Sequence, residues 1–188
     1  YDRARTSMSD FTLCPDCLRE FNEPLDRRFE AQPNACPMCG PSIRLLDANL
    51  QPVEGPDPLA EAIRRLRNGA LLAVKSVGGY HLCCDAKNEK AIALLRDRKK
   101  RPSKSLAIMF RSLSDIERHC VLTPEAAAEL QSEAAPIVIV KRRESGGLPA
   151  SLSPDTGDWG VFLPYTPLHR LLLEACSPLV MTSGNFAD

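Results

Sequence analysis

The sequence predicts an α/β fold, with a sheet covered by helices and a small cysteine-rich module before it. Strand-like apolar runs alternate with amphipathic helical segments from about residue 57 onward. The first 50 residues instead hold two Cys-x-x-Cys pairs and show little periodicity. The stretch DANLQPVEGPDP between the two regions is rich in Pro, Asp and Gly, which is typical of a linker. We therefore predict domains over 1–50 and 51–188.

The helices are predicted from their caps and from the spacing of their apolar residues. In DPLAEAIRRLRNG, Asp57 is the expected N-cap, Pro58 stands at the first helical position and Gly69 follows the end. The segment NEKAIALLRDRK predicts a second helix over 88–99. Three further helices are predicted over SLSDIERHC, TPEAAAELQS and PLHRLLLEAC.

The strands are predicted from short, continuous apolar runs bounded by turn-forming residues. The clearest is PIVIVKR, because it is β-branched and begins with a proline. The four predicted strands are ALLAVKSV (70–77), SLAIMF (105–110), PIVIVKR (136–142) and PLVMTSG (178–184).

Composition excludes some classes of protein. The 24 basic and 24 acidic residues balance, so the chain as a whole gives no electrostatic argument for binding nucleic acid or membranes. Its apolar runs are far shorter than the roughly 20 residues of a membrane-spanning helix. The N-terminal residues contain no apolar signal core, so we do not expect export. The eight cysteines, with two Cys-x-x-Cys pairs and four others in apolar surroundings, fit a reducing compartment, so we predict a cytoplasmic location. Because the chain stops just after a predicted strand, we expect it to be a fragment.

The two cysteine pairs, CPDC and CPMC, predict a metal site. Eighteen residues separate them, a spacing typical of structural zinc sites with four thiolate ligands. Four thiolates leave no open position for water, so the predicted Zn²⁺ is structural. The alternatives are two reduced pairs or disulfides. The predicted ligands are Cys14, Cys17, Cys36 and Cys39.

The segment RDRKKRPSK, 96–104, holds six cations and one anion in nine residues. We expect Arg96 and Arg98 to be solvated residues at a helix C-terminus, where cations are favoured. The cations continue past Pro102 to the start of a predicted buried strand. Ligands of open α/β sheets bind at strand ends, so the segment predicts a site for a polyanion such as a triphosphate.

A second candidate segment, Thr-Ser-Gly-Asn at 182–185, follows the last predicted strand. Its two hydroxyls and flexible backbone could hold phosphate oxygens. An ordinary turn explains the same residues, so this segment alone is a weak signal.

Together the two segments carry a family resemblance. KKRPSKSLAIMF followed by LVMTSGN resembles the YrdC/Sua5 family, whose K-x-R and S-x-N signatures fall on Lys99, Arg101, Ser183 and Asn185. The segments CPDC, CPMCGP, AVKSVGGYHLCCDA and GVFLPYTPLHRLLL resemble the HypF family of [NiFe]-hydrogenase maturation carbamoyltransferases. The resemblance implies a YrdC/Sua5-like twisted mixed sheet with flanking helices, preceded by a small zinc-finger-like module with four cysteine ligands.

The resemblance has limits. HypF proteins also have acylphosphatase-like and Kae1-like parts, and this chain resembles neither. It carries only the second half of the family's zinc region, and its YrdC-like domain is cut off at its C-terminus. The glycine-rich stretch is KSVGG, where the family usually has KGLGG, so Ser76 restricts the backbone there.

The activity that the resemblance implies is an ATP-dependent carbamoyl transfer. Carbamate derived from carbamoyl phosphate would attack ATP and form carbamoyl-adenylate. The carbamoyl group would then pass to the C-terminal cysteine of a HypE-like acceptor protein and become a cyanide ligand. Lys99, Arg101 and Lys104 would contact phosphate oxygens with Mg²⁺, while Ser183 and Asn185 would orient the reacting groups.

Two further residues are weaker candidates. Lys75, beside the glycine-rich stretch, could hold the carbamate carboxylate, and His81 could contact a substrate. A structural role remains the alternative for His81, and for His169 we expect capping or packing.

Two other functions remain open. YrdC-like domains have been associated with double-stranded RNA, although the neutral charge disfavours this. A threonylcarbamoyl-AMP synthase belongs to the same superfamily, but the cysteine module and the segments HLCCDA and LPYTPLH disfavour it.

Overall fold

The computed structural model describes residues 2–185. It divides into two compact units, Tyr1–Glu54 and Gly55–Asp188, which we name the N-terminal unit and the sheet unit. Within the described residues, none of the helices has both the length and the apolar character needed to span a membrane.

The N-terminal unit has little regular structure. It contains two short 3₁₀ turns, Arg3–Arg5 and Ser7–Asp10, and one helix that the sequence did not predict, α1 (Pro15–Asn22). Among its described side chains only Cys17 and Asn34 are buried. The Asn34 amide donates a hydrogen bond to the carbonyl of Cys17 at 3.1 Å, so it ties the two cysteine pairs together. A core this small cannot supply much hydrophobic stabilisation.

The described part of the sheet unit contains five α-helices, and the first of them follows its predicted capping residue, Asp57. The Asp57 carboxylate accepts hydrogen bonds from two backbone N–H groups of the first helix, and Thr123 and Thr166 cap later ones. The helices are α2 (Pro58–Arg67), α3 (Glu89–Lys99), α4 (Leu113–His119), α5 (Pro124–Leu130) and α6 (Pro167–Ala175).

Seven strands form one mixed sheet in the order β1-β2-β7-β3-β6-β5-β4. Among these described strands only β3 and β6 pair in parallel, and the other neighbours are antiparallel. The strands are β1 (Leu72–Ser76), β2 (Gly79–Asp85), β3 (Ile108–Met109), β4 (Cys120–Val121), β5 (Val138–Arg142), β6 (Asp158–Phe162) and β7 (Leu179–Ser183). The predicted mixed sheet with flanking helices is therefore confirmed.

Helices cover both faces of the sheet, because strand residues alternate between two apolar clusters. Val180 and Cys84 face the cluster that contains Ile92 and Leu95 of α3 and the buried Trp159. Their neighbours Met181 and Cys83 face the other cluster, which contains Leu66, Leu172 and Leu173 of α2 and α6. This two-sided burial accounts for the continuous apolar runs in the sequence.

The glycine-rich stretch forms a β-hairpin. Strands β1 and β2 pair with Ser76 opposite Gly79, which leaves a two-residue loop at 77–78. Gly78 has a φ of +86°, a conformation that side chains with a Cβ rarely adopt. Ser76 lies within the extended strand, where the backbone accepts it without strain.

Candidate functional site

The four predicted metal ligands lie together in the N-terminal unit. Their sulfur atoms are all within 4.8 Å of one another. The Cys14 and Cys36 sulfurs are 3.7 Å apart, and those of Cys36 and Cys39 are 3.8 Å apart. A tetrahedron of sulfurs around one ion with Zn–S bonds of about 2.3 Å has edges of roughly 3.8 Å. The four thiols therefore fit a tetrahedral zinc ion.

The surroundings of two of these thiols shift their pKa values in opposite directions. Burial raises the pKa of Cys17, and hydrogen bonds from the other three cysteines add to the rise. Backbone hydrogen bonds from Cys14 and Cys36 lower the pKa of Cys39 to about 6. Four thiolates this close together repel one another, so a divalent cation is required to hold them all ionised.

In the sheet unit, the cationic segment and the 182–185 turn meet through Lys99, whose partners lie 84 and 86 positions further along the sequence. The Lys99 ammonium at the end of α3 donates hydrogen bonds to the carbonyls of Ser183 at 2.6 Å and Asn185 at 2.9 Å. Lys99 is only 6% exposed. Two of its three N–H donors therefore hold the turn, and one remains for a ligand.

Further contacts fix the same turn. Arg101 donates to the Thr182 hydroxyl at 3.3 Å. The Gly184 N–H donates to the Tyr80 carbonyl at 2.7 Å, and a Cβ on Gly184 would lie only 3.0 Å from that oxygen. The Ser183 hydroxyl donates a hydrogen bond to the Asn185 side-chain oxygen. The turn is thus held from α3, from the loop after it and from β2.

Arg96 differs from its sequence-based expectation. We expected a solvated side chain, but Arg96 is only 9% exposed. Its guanidinium donates to the carbonyls of Arg101, Pro102 and Lys104 at 2.9, 3.3 and 3.0 Å. It also donates to the carbonyls of Ser151 and Leu152, at 2.9 and 3.2 Å. Arg96 is therefore the internal support of the 101–104 loop, whereas Arg98 is exposed as expected.

The cations beside the 182–185 turn, which we name the corner, lack carboxylate partners among the described residues. They are Arg96, Lys99, Arg101 and Lys104. Within residues 2–185, Lys100 pairs with Asp97, but none of Arg96, Lys99, Arg101 and Lys104 forms a salt bridge. Burial and the neighbouring Arg101 cation both lower the pKa of Lys99. A bound anion would oppose this shift, so the corner is electrostatically suited to one.

An open cleft of about 1010 Å³ adjoins this corner. Of the predicted site residues, Arg101, His81 and Ser183 line it, together with Thr182, Tyr165 and an apolar wall. The apolar part includes Ile137, Ile139, Gly160 and Phe162. Lys99 contacts the turn and is not among the residues that line the cleft. Lys75, Lys104 and Asn185 are exposed and are not among the residues that line the cleft.

Sequence reasoning undervalued two residues beside the cleft. Tyr165 and His169 pack edge-on, with ring centroids 4.7 Å apart, and His81 lies 5.7 Å from His169. The expected packing role of His169 agrees with its complete burial. The signal that could have found this group was the segment LPYTPLH, which supplies two of the three rings.

The fold and this corner define a YrdC-type α/β domain that follows a four-cysteine finger. Residues 64–188 match the Sua5/YciO/YrdC family model, described as telomere recombination, and residues 13–46 match the HypF finger. The chain belongs to the HypF family.

Individual HypF proteins resemble the whole chain. Carbamoyltransferase HypF of Rhodobacter capsulatus is 50% identical over 188 residues, which is 100% of this chain and 25% of that protein. A full-length HypF, solved in a phosphate- and nucleotide-bound form, superposes with a TM-score of 0.82 at 40% identity and covers 100% of this chain. The structure of T. kodakarensis HypF superposes with a TM-score of 0.86 at 39% identity and covers 99% of this chain. The chain covers 24% of each of these two structures, so it spans about a quarter of the length of its HypF relatives.

Proposed function

We propose that the sheet unit binds ATP with Mg²⁺ and forms carbamoyl-adenylate as part of a HypF-type carbamoyltransferase. The observation that carries this proposal is the pair of hydrogen bonds from Lys99 to the carbonyls of Ser183 and Asn185. These bonds bring the K-x-R cations to the hydroxyl-bearing turn at the rim of a cleft. The phosphate- and nucleotide-bound form of a related HypF supports nucleotide chemistry in the family.

The proposed reaction needs charge neutralisation and alignment. A carboxylate oxygen of carbamate attacks the α-phosphorus of ATP. A new O–P bond forms, the bond between the α-phosphorus and the bridging oxygen breaks, and pyrophosphate leaves with the electron pair. Arg101 and the free donor of Lys99 would stabilise the phosphate oxygens, and Mg²⁺ would neutralise the leaving group. The Ser183 hydroxyl would orient the α-phosphate.

The carbamoyl group of the adenylate would then pass to the C-terminal cysteine of a HypE-like acceptor protein. Carbamoyl phosphate would be the source of the carbamate. We infer both partners from the membership of the chain in the HypF family. Both would take part in the activity of a protein longer than this chain.

We propose in addition that the four cysteines of the N-terminal unit bind one structural Zn²⁺. The match to the HypF finger and the spacing of the sulfur atoms support this. Thiolate ligands persist in a reducing compartment, so the proposal includes a cytoplasmic location.

Nucleotide binding tests the first proposal. We expect the double variant Lys99→Ala/Arg101→Ala to abolish ATP binding, because it removes the Arg101 cation from the cleft and the Lys99 hydrogen bonds that hold the 182–185 turn. The single variant Arg101→Ala should weaken binding by about tenfold or more, since hydrogen bonds to charged groups contribute about 1.5–3 kcal/mol. Isothermal titration calorimetry with ATP and Mg²⁺ measures both dissociation constants.

The matched control is Arg98→Ala, which removes the same charge from an exposed position of α3 and should leave the ATP affinity unchanged. Unaltered affinity in the double variant would exclude Lys99 and Arg101 from the site. Salt-sensitive binding of double-stranded RNA by a chain without ATP affinity would favour the RNA-binding alternative.

A further inference from the structure

Three rings form a compact group in the wall of the cleft. His81 on β2 lies directly opposite Ser183 on β7, Tyr165 lies between β6 and α6, and His169 lies in the first turn of α6. The His81 and Tyr165 ring centroids are 6.3 Å apart, and both rings contact His169 edge-on. Because residues directly opposite on antiparallel strands have Cβ atoms about 5 Å apart, the group adjoins the Ser183 side chain.

This group holds polar atoms that the chain does not satisfy. His169 is 0% exposed, and neither of its ring nitrogens has a hydrogen-bond partner among the described residues. The buried Nδ1 of His81 is also without a partner within 2–185. The Tyr165 hydroxyl lies 3.4 Å from His81 Nε2, which is a long hydrogen bond. Buried polar groups are normally paired, so within residues 2–185 this group keeps hydrogen-bonding capacity that a small bound molecule could satisfy.

Both imidazoles are neutral at physiological pH. Burial lowers the pKa of His169 to about 4, with a smaller contribution from His81, and burial also lowers the pKa of His81. A neutral imidazole offers one N–H donor and one acceptor nitrogen. Together with a tyrosine hydroxyl, it complements a small ligand that carries both acceptors and a donor. Carbamate, a planar carboxylate with an amino group, has this pattern.

We propose that His81 and Tyr165 bind the carbamate that attacks the α-phosphate, and that His169 is a positioning residue for both rings. The inference rests on the proposed adenylation function. The nucleophile must lie within reach of the α-phosphorus, and the neighbouring Ser183 is the residue assigned to that phosphate. Lys75 is a weaker candidate for this role, because it is exposed and is not among the residues lining the cleft.

The charges of the two groups of residues determine which ligand each group binds. Arg101 and Lys99 supply the positive charge that the triphosphate requires. A neutral hydrogen-bonding subsite holds the smaller anion without attracting a second phosphate group. The polar ring of His169 is consistent with a positioning role, because an apolar residue would fill the same buried position without leaving polar atoms unpaired among the described residues.

The test uses the whole chain saturated with α,β-methylene-ATP and Mg²⁺, with ¹³C-bicarbonate as a stable planar analogue of carbamate. Bicarbonate binding is followed by ¹³C line broadening, and nucleotide affinity is measured separately by calorimetry. We expect His81→Asn and Tyr165→Phe each to weaken bicarbonate binding at least tenfold, with the nucleotide dissociation constant changed less than twofold. Tyr80→Phe is the matched control, because Tyr80 adjoins His81 and is not among the cleft-lining residues.

His169→Phe gives an additional readout. It removes only unpaired polar atoms, so we expect an equal or higher melting temperature together with weaker bicarbonate binding. Wild-type bicarbonate affinity in all three variants, with nucleotide bound normally, would overturn this inference and leave the adenylation proposal intact. Failure of the wild-type chain to bind nucleotide would overturn both.

Discussion

Replacing Arg96 with Ala is expected to destabilise the sheet unit by about 3 kcal/mol and to abolish nucleotide binding. For a unit of this size the loss corresponds to a fall in melting temperature of roughly 10 °C. Differential scanning calorimetry measures the stability, and titration with ATP and Mg²⁺ measures the binding. The effect should exceed that of any other single charge removal in the segment 96–104.

The expectation follows from the five carbonyl oxygens that the Arg96 guanidinium satisfies. Burial and the nearby Arg101 cation lower the pKa of Arg96, which shows that its charge is held at a cost. The hydrogen bonds offset this cost and fix the 101–104 loop on the 3₁₀ helix Ala150–Leu152. Without them the loop loses its shape, and the placement of Arg101 is lost with it.

Two variants separate this role from simple charge loss. Arg96→Lys keeps the charge but cannot reach five acceptors, so its stability should lie between those of the wild type and Arg96→Ala. Arg98→Ala, two residues away on the exposed face of α3, should leave both stability and binding unchanged. Equal effects of Arg96→Ala and Arg98→Ala would show that Arg96 supports nothing beyond the general positive potential.

Arg96 also shows what the sequence could not predict. A basic residue in the last turn of a helix is favoured there by the helix dipole, and this effect needs no burial. We therefore expected the Arg96 side chain to be solvated. Its burial depends on the 3₁₀ helix Ala150–Leu152, which lies more than fifty residues away in sequence and is brought close by tertiary packing. No local pattern encodes such a contact.

The helices of the sheet unit were predictable for the opposite reason. Their starts are marked by local capping chemistry, as at Asp57 and Thr123, where the side chain accepts a hydrogen bond from the next turn. The meeting of the K-x-R and S-x-N segments was expected from the family resemblance, and Lys99 shows the contact directly. The assigned functions of these residues stay predictions.

The strands were predicted less completely. Strand β2 begins with Gly79 and carries the polar side chain of His81, so it lacks a continuous apolar run. Its pairing is determined by the two-residue hairpin loop, a geometric signal that our sequence analysis did not use to predict a strand. Strand β6 was also missed. The predicted strand SLAIMF is shortened to Ile108–Met109, and the residues before it, 105–107, line the cleft.

Removing the proposed zinc ion is expected to unfold the N-terminal unit while the sheet unit stays folded. The chain should contain one zinc per molecule, and a strong chelator should remove it. The described part of this unit buries only Cys17 and Asn34, so the metal has to supply the stabilisation that a hydrophobic core would otherwise give. Amide NMR spectra should then lose dispersion for residues 2–54 and keep it for the helices and strands of the sheet unit.

The variant Cys36→Ser should have the same effect as the chelator, because Cys36 lies within 3.8 Å of both Cys14 and Cys39 sulfurs and no other described thiol can replace it. Cys176→Ala is the matched control, since it removes a buried thiol of the sheet unit and should leave one bound zinc. Lowering the pH should release the metal, because protons compete for the thiolates. A zinc-free chain whose N-terminal amides remain dispersed would show that the four thiols are packing residues and that hydrogen bonds such as those of Arg3 hold the unit together.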